Sequence, residues 1–148
     1  MSKIILVAVG RLKEKFLVDG VAEFLKRIKP FSKIEVREIS ECRTIEEEGQ
    51  KLLAQVPRDS WLCVLDVAGV ALTSEEFAKK IAGLNLRGIS NLTFLIGGAF
   101  GLSEKVRTAA DFRLSLSPMT FTHQMARLIL VEQIYRAFKI NRGEPYHY

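Results

Sequence analysis

Three segments of the chain place glycine, serine, an acid or histidine directly after an apolar run. They are residues 65–69, which contain Asp66, residues 95–103, which contain three glycines, and residues 114–127, which contain His123. In open α/β sheets ligands bind beyond the carboxyl ends of the strands. A binding site is therefore expected where these three segments meet.

The third segment holds the side chains best suited to proton and charge chemistry. His123 and Arg127 are four residues apart in a sequence typical of a helix, so they are predicted to share a helix face. Histidine can exchange a proton near neutral pH, and arginine can stabilise an anion. A lone histidine is more often structural, but this one lies at a helix start beside two glycine- and serine-rich loops, which favours a functional role.

The other two segments leave alternatives open. Gly97, Gly98 and Gly101 let the backbone approach a ligand closely, but their spacing matches neither the dinucleotide-binding fingerprint nor the P-loop. Asp66 is suited either to bind a ligand hydroxyl or to cap a neighbouring loop. An enzyme that holds a nucleotide phosphate in the glycine loop is thus one hypothesis, though the missing spacings count against it.

The elements that must position these residues alternate along the chain. Short β-branched or alternating runs predict strands at residues 3–9, 34–39, 61–67, 91–96 and 112–116. Apolar residues at helical spacing predict helices over residues 14–28, 44–56, 73–84, 103–110 and 122–140. Such alternation predicts one α/β domain over residues 1–148, a largely parallel sheet with helices on both faces and residues 34–39 near its edge.

Composition excludes several classes of protein. The 148 residues are 48% hydrophobic, which is too rich in core residues for a disordered chain. The apolar run at residues 4–9 is far shorter than the ~20 residues of a membrane span, and charged residues follow it too soon for a signal peptide. Cys42 and Cys63 lack zinc-ligand spacing, so no metal site is predicted and a reducing cytoplasm is expected.

Positive charge is concentrated at both ends of the chain. Residues 1–40 carry nine Lys or Arg against five Asp or Glu, and residues 81–148 carry eight against four. If the fold joins the two ends, the resulting patch suits a polyanion such as RNA. The alternative is an ordinary solvated surface, and a non-catalytic RNA- or ribosome-binding factor would also fit these basic ends.

Taken together, the motifs resemble one family over essentially the whole chain, the ribosomal RNA large-subunit methyltransferase H family of the SPOUT superfamily. In chain order they are Val7-Ala8-Val9-Gly10-Arg11-Leu12-Lys13-Glu14, Leu65-Asp66, Ile96-Gly97-Gly98-x-x-Gly101-Leu102-Ser103, Leu116-Ser117-x-Met119-Thr120-x-x-His123-Gln124, Tyr135-Arg136-Ala137-x-Lys139-Ile140 and Gly143-Glu144-Pro145-Tyr146-His147. Ala99 and Phe100, between two of the glycines, are a mild departure from the family pattern.

The resemblance implies a fold and an activity. The fold would be the α/β knot, in which the C-terminal part of the chain forms a trefoil. The protein would be a cytoplasmic homodimer that uses S-adenosylmethionine and no metal. It would methylate N3 of the pseudouridine at position 1915 of 23S rRNA, in an intersubunit stem-loop of the assembled ribosome.

The resemblance also implies which residues form the site. The methyl-donor pocket would use Leu65, Gly97, Leu116, Ser117, Pro118, Met119, Thr120 and Phe121. His123 and Arg127 of one subunit would act with Tyr146 and His147, which belong to a C-terminal element expected to come from the partner subunit. The proton acceptor stays open. Arg127, Arg136, Lys139 and Arg142 are suited to contact phosphates, although Glu132 and Arg136 at i,i+4 spacing also suit a plain surface pair.

Overall fold

The structure, a computed structural model, describes residues 2–146 and alternates strands with helices. In chain order the elements are β1 (Lys3–Val9), α1 (Lys15–Ile28), β2 (Lys33–Ile39), α2 (Ile45–Ala54), β3 (Trp61–Ala71), α3 (Ser74–Leu86), β4 (Asn91–Ile96), α4 (Glu104–Ala109), β5 (Phe112–Ser115) and α5 (His123–Asn141). The predicted alternation is confirmed, with differences of a few residues at most element ends.

The five strands form one sheet in the order β2-β1-β4-β3-β5, and every neighbouring pair is parallel. β1 alternates its side chains between two cores. Ile4 and Leu6 pack with α1, α3 and α5 on one face, whereas Ile5 and Val7 pack with α2 and α4 on the other. The predicted parallel sheet with helices on both faces is therefore confirmed, and β2 lies at its edge.

Side-chain caps fix where the helices begin. Thr73 and Glu76 form the reciprocal capping box that their spacing predicts. The Ser103 hydroxyl accepts a hydrogen bond from the Val106 amide at the start of α4. The Thr122 hydroxyl accepts one of 3.1 Å from the Met125 amide, which makes His123 the first residue of α5.

β3 is longer than predicted because β5 pairs with it in two stretches. Cys63, Val64 and Leu65 pair with residues 112–114, the register then shifts, and Val70 and Ala71 pair with residues 114–115. Residues 66–69 bulge out between the two stretches. A Cβ on Gly69 would lie 2.5 Å from the Arg113 carbonyl oxygen, so this close approach of two strands requires glycine. Local hydropathy does not reveal such pairing between distant segments, so the sequence did not predict the extension of β3.

No helix within residues 2–146 is long and apolar enough to cross a membrane. The C-terminal trefoil knot that the resemblance implies stays a prediction.

Candidate functional site

A cleft of about 650 Å³ opens at the bulge in the middle of β3 and at the carboxyl ends of β4 and β5. The three segments that the sequence singles out all line it. Of the residues expected to bind the methyl donor or act in catalysis, those that line the cleft are Leu65, Gly97, Leu116, Ser117, Met119, Thr120, Phe121 and His123. Pro118 lies exposed in the same loop and is not among the lining residues described.

The glycine loop forms the wall that follows β4. The Gly101 amide donates a hydrogen bond of 3.1 Å to the Gly98 carbonyl, and Gly101 has a φ of +90°, which favours glycine. A Cβ on Gly97 would lie 2.8 Å from Leu102 Cδ2 and 2.9 Å from the Gly101 carbonyl oxygen. The loop is therefore folded back on itself, and a larger residue at position 97 would force it to move beside the cleft.

The loop between β5 and α5 forms the opposite wall. It is held by local hydrogen bonds, because the Ser115 hydroxyl donates to the Ser117 carbonyl at 3.1 Å and the Met119 amide donates to the Ser117 hydroxyl at 3.0 Å. Met119 and Phe121 remain exposed at the cleft. The loop thus offers apolar side chains and backbone polar groups, a combination that suits a nucleoside-like ligand.

Asp66 is an acidic group in the wall of the cleft, with 7% of its side chain exposed. Its carboxylate accepts a 3.0 Å hydrogen bond from the Ala68 amide, so the interpretation of Asp66 as a loop cap is confirmed. It also forms ion pairs with Arg107 at 3.3 Å and Arg113 at 3.4 Å. Arg107 lines the cleft itself, which the sequence reasoning missed because no motif marks it.

The structure separates His123 from Arg127. His123 is half-buried and lines the cleft. Arg127 is 1% exposed, and its guanidinium lies 2.5 Å from a carboxylate oxygen of Glu38 and donates to the Gly10 carbonyl at 3.2 Å. Arg127 is thus not among the described cleft residues. The sequence marked its partner Glu38 only as part of a strand, and Gly10 only as part of the first family motif.

Tyr146 packs against the middle of α5. Its hydroxyl donates a 2.6 Å hydrogen bond to Glu132, and its ring meets the Tyr135 ring edge-on with centroids 4.7 Å apart. Burial, then the hydrogen bond to Glu132, raises the pKa of Tyr146 to about 12. His147, the other tail residue expected in the site, lies outside the described residues.

The basic residues near the end of α5 have acidic partners. Arg136 pairs with Glu132 at 2.7 Å, as the i,i+4 interpretation predicts, while Lys139 and Arg142 both pair with Glu144, at 2.9 and 2.8 Å. Within residues 2–146 no group of three His, Cys, Asp or Glu side chains is arranged to hold a metal ion.

Comparison with known proteins gives the class to which this fold and cleft belong. A family model described as "Predicted SPOUT methyltransferase" matches residues 2–147. The fold is similar to "the structure of a probable methylase family protein from Haemophilus influenzae Rd KW20", with a TM-score of 0.56 over 99% of this chain and 70% of that chain. At 11% identity that likeness shows the fold alone. The chain is therefore a methyltransferase of the SPOUT class, an enzyme that needs a methyl donor.

Curated relatives narrow the class further. The protein named "Ribosomal RNA large subunit methyltransferase H" of Halothermothrix orenii is 52% identical over 98% of this chain and 99% of its own length. Its namesake in Clostridioides difficile is 46% identical over 96% and 97%. A protein of Methanococcus maripaludis named "Putative ribosomal RNA large subunit methyltransferase H" is 42% identical over 97% and 98%. This chain belongs to the ribosomal RNA large subunit methyltransferase H family.

Proposed function

We propose that this protein transfers a methyl group from S-adenosylmethionine to N3 of the pseudouridine at position 1915 of 23S rRNA. The substrate is an intersubunit stem-loop of the assembled ribosome. The enzyme acts in the cytoplasm, and residues 1–148 form its single methyltransferase domain. The names of the relatives support an rRNA substrate. The observation that carries the proposal is the cleft itself, where His123 and most of the residues expected to bind the donor line one cavity.

The cleft fits the donor. Its volume of about 650 Å³ lies within the range of small-molecule sites, and its wall combines apolar side chains such as Leu65 and Leu116 with the backbone of the glycine loop. The space that a Cβ on Gly97 would need is taken up by the folded loop, so the shape of this wall depends on glycine at position 97. When bound, S-adenosylmethionine supplies an electrophilic methyl group.

Different residues of the cleft would contact different parts of the donor. Leu65, Leu116 and Phe121 would enclose the adenine and exclude water from it. Gly97 and the loop 116–120, which includes Ser117, Pro118, Met119 and Thr120, would offer backbone groups and the Ser117 side chain to the ribose and methionine. Such a pocket would accelerate the reaction mainly by holding the methyl group in line with the attacking nitrogen.

His123 would act on the target base. The imide N3 of a pseudouridine holds a proton that must leave before the nitrogen can attack, so a base or a group that stabilises the anion is needed. His123 lies in the cleft wall at the first position of α5. The helix dipole places partial positive charge there, which favours a developing anion. Asp66 and Arg107 are the charged side chains of the described cleft wall.

The tail residues would serve the cleft of a second copy. Tyr146 is bonded to Glu132, which follows His123 by nine residues and therefore lies ~14 Å further along α5. In its own chain Tyr146 is thus remote from the start of α5 and its cleft. This placement supports a homodimer in which Tyr146 and His147 of one protomer complete the site of the other.

Two measurements test the proposal. Titration calorimetry with S-adenosylmethionine is expected to show one site per chain, and no binding at high micromolar donor would refute the donor assignment. Transfer of a labelled methyl group to intact ribosomes, free large subunits and naked rRNA would then test the substrate. Donor binding without any transfer to ribosomal RNA would instead favour a non-catalytic ribosome-binding factor.

A further inference from the structure

Among residues 2–146, Arg127 is the largest fully buried side chain, and it does not line the cleft. With 1% of its surface exposed, its guanidinium bridges two separate elements, the Glu38 carboxylate at 2.5 Å and the Gly10 carbonyl oxygen at 3.2 Å. Its Nε has no hydrogen-bond partner within residues 2–146. A buried cation that leaves one donor unsatisfied is poor evidence of a stabilising role. Its two satisfied contacts instead point to a role in holding α5 in a fixed position.

Both contacts lie at the carboxyl ends of the first two strands. Gly10 follows β1 with a φ of +83°, and its amide donates to the Ile39 carbonyl at 2.7 Å, so Gly10 is held against the end of β2. Glu38 stands near the end of β2, where it pairs in register with Ala8. Arg127 therefore attaches α5 to a rigid corner of the sheet rather than to a loose loop.

A second side chain of α5 holds the segment that follows Gly10. The Gln124 side-chain oxygen accepts a 3.1 Å hydrogen bond from the Lys13 amide. Gln124 and Arg127 together connect the first turn and a half of α5 to residues 10–13. His123, the cleft histidine, belongs to that same turn, one residue before Gln124.

We propose that Arg127 is a positioning residue for methyl transfer. Through Glu38 and the Gly10 carbonyl it fixes the first turn of α5, so that His123 faces the donor and the target base, and it does not contact the substrate itself. The planar fork of arginine suits this task because it reaches two acceptors with fixed geometry, whereas lysine offers a single charged point. The proposal rests on the proposed function, whose methyl transfer it explains in part.

The test compares Glu38→Gln, Arg127→Met and the double variant, with Glu35→Gln as a matched control. Glu35 lies on the same strand and forms exposed pairs with Lys3 and Arg37. The kcat of Glu38→Gln and of Arg127→Met is expected to fall by up to about 10²-fold, the usual cost of a small misplacement at a reacting centre. KM for ribosomes and donor affinity should stay within about twofold, and the double variant should lose little more than the worse single variant.

Hydrogen exchange provides a readout that does not depend on activity. In Glu38→Gln and Arg127→Met the amides of residues 10–13 and 124–127 should exchange faster, while those of α3 stay unchanged. Arg127→Lys should restore part of the rate and of the protection. All rates are measured well below each variant's Tm, and Glu38→Gln keeps the test valid if Arg127→Met fails to fold, since 37% of the Glu38 side chain is exposed.

Two results would overturn the proposal. If Arg127→Met abolishes transfer while Glu38→Gln keeps the full rate and normal exchange, Arg127 acts on the substrate directly. If the losses of the two single variants multiply in the double variant, the residues act independently. Should the unmodified protein methylate no rRNA, the proposed function fails, whereas the exchange experiment still reports whether Arg127 and Glu38 hold α5.

Discussion

The Tyr146 hydroxyl donates a 2.6 Å hydrogen bond to the Glu132 carboxylate, which ties the end of the chain to the middle of α5. Two further contacts hold the Tyr146 ring. The Tyr135 ring meets it edge-on, and the Arg136 guanidinium lies 4.8 Å from its centroid. Tyr146 is therefore held against the middle of α5, about 14 Å along the helix from His123. The proposed sharing of sites between two copies depends on this separation.

A pH dependence of stability follows from this hydrogen bond. The pKa of Tyr146 is raised from 10.0 to about 12 by burial and by Glu132, so folding favours the protonated hydroxyl. The resulting stabilisation is fully present below pH 10 and should be lost as the pH rises towards 12. Denaturant unfolding of the unmodified protein and of Tyr146→Phe, measured across this range, should show a smaller loss in the variant. Parallel losses in both proteins would contradict the assignment.

Removal of Tyr146–Tyr148 should abolish methyl transfer while leaving affinity for S-adenosylmethionine nearly unchanged. The reason is that the donor cleft is formed by β3, β4, β5 and the start of α5, whereas the tail is proposed to act in the partner's site. Calorimetry and a labelled-methyl assay measure the two properties separately. Equal loss of both would mean that the tail is a structural element. Mixing the truncated protein with an inactive His123→Ala variant should recover part of the activity if sites are shared.

Gly97→Ala should weaken donor binding by about tenfold or more, equivalent to at least about 1.4 kcal/mol. The new Cβ would lie 2.9 Å from the Gly101 carbonyl oxygen and 2.8 Å from Leu102 Cδ2, so the loop must shift into the cleft wall. Gly83→Ala is the matched control, because nothing lies within 4 Å of its added Cβ in α3. There the change should leave affinity intact and raise stability by about 0.5–1 kcal/mol. Equal affinities in both variants would exclude the loop from donor binding.

His123→Ala should lower kcat by about 10²- to 10⁴-fold, the range ascribed to a positioned proton-transfer group. The cap of α5 is provided by Thr122, so removing the imidazole should leave the helix start in place. Donor affinity, measured by calorimetry, is expected to change little. A variant that retains the full rate between pH 6 and 9 would remove His123 from the mechanism.

The parts of the fold that the sequence predicts are those determined by local patterns. β1 and β4 are short apolar runs closed by glycine, and Thr73 with Glu76 marks the start of α3, so each could be predicted from its own residues. The cleft was predictable for a related reason. Parallel strands must place their carboxyl ends at one edge of the sheet, and the glycine loop and the Ser-Pro-Met-Thr loop follow two of those ends, β4 and β5.

What sequence reasoning missed depends on distant partners. The i,i+4 spacing puts His123 and Arg127 on one helix face, but it does not say that the long arginine side chain will turn towards Glu38, 89 residues earlier. The extension of β3 to Ala71 depends on pairing with β5 across a bulge. Arg107 lines the cleft and forms an ion pair with Asp66, 41 residues earlier, so no local pattern marks it.

The most direct test of the central claim is the transfer of a labelled methyl group from S-adenosylmethionine to ribosomes whose 23S rRNA lacks the modification. After digestion, the labelled nucleoside is identified by mass spectrometry and mapped along the RNA. The proposal predicts one labelled N3-methylpseudouridine, at position 1915, formed on assembled ribosomes and nearly absent on naked rRNA. Label at another nucleotide, or on an unrelated RNA with none on ribosomes, would contradict it.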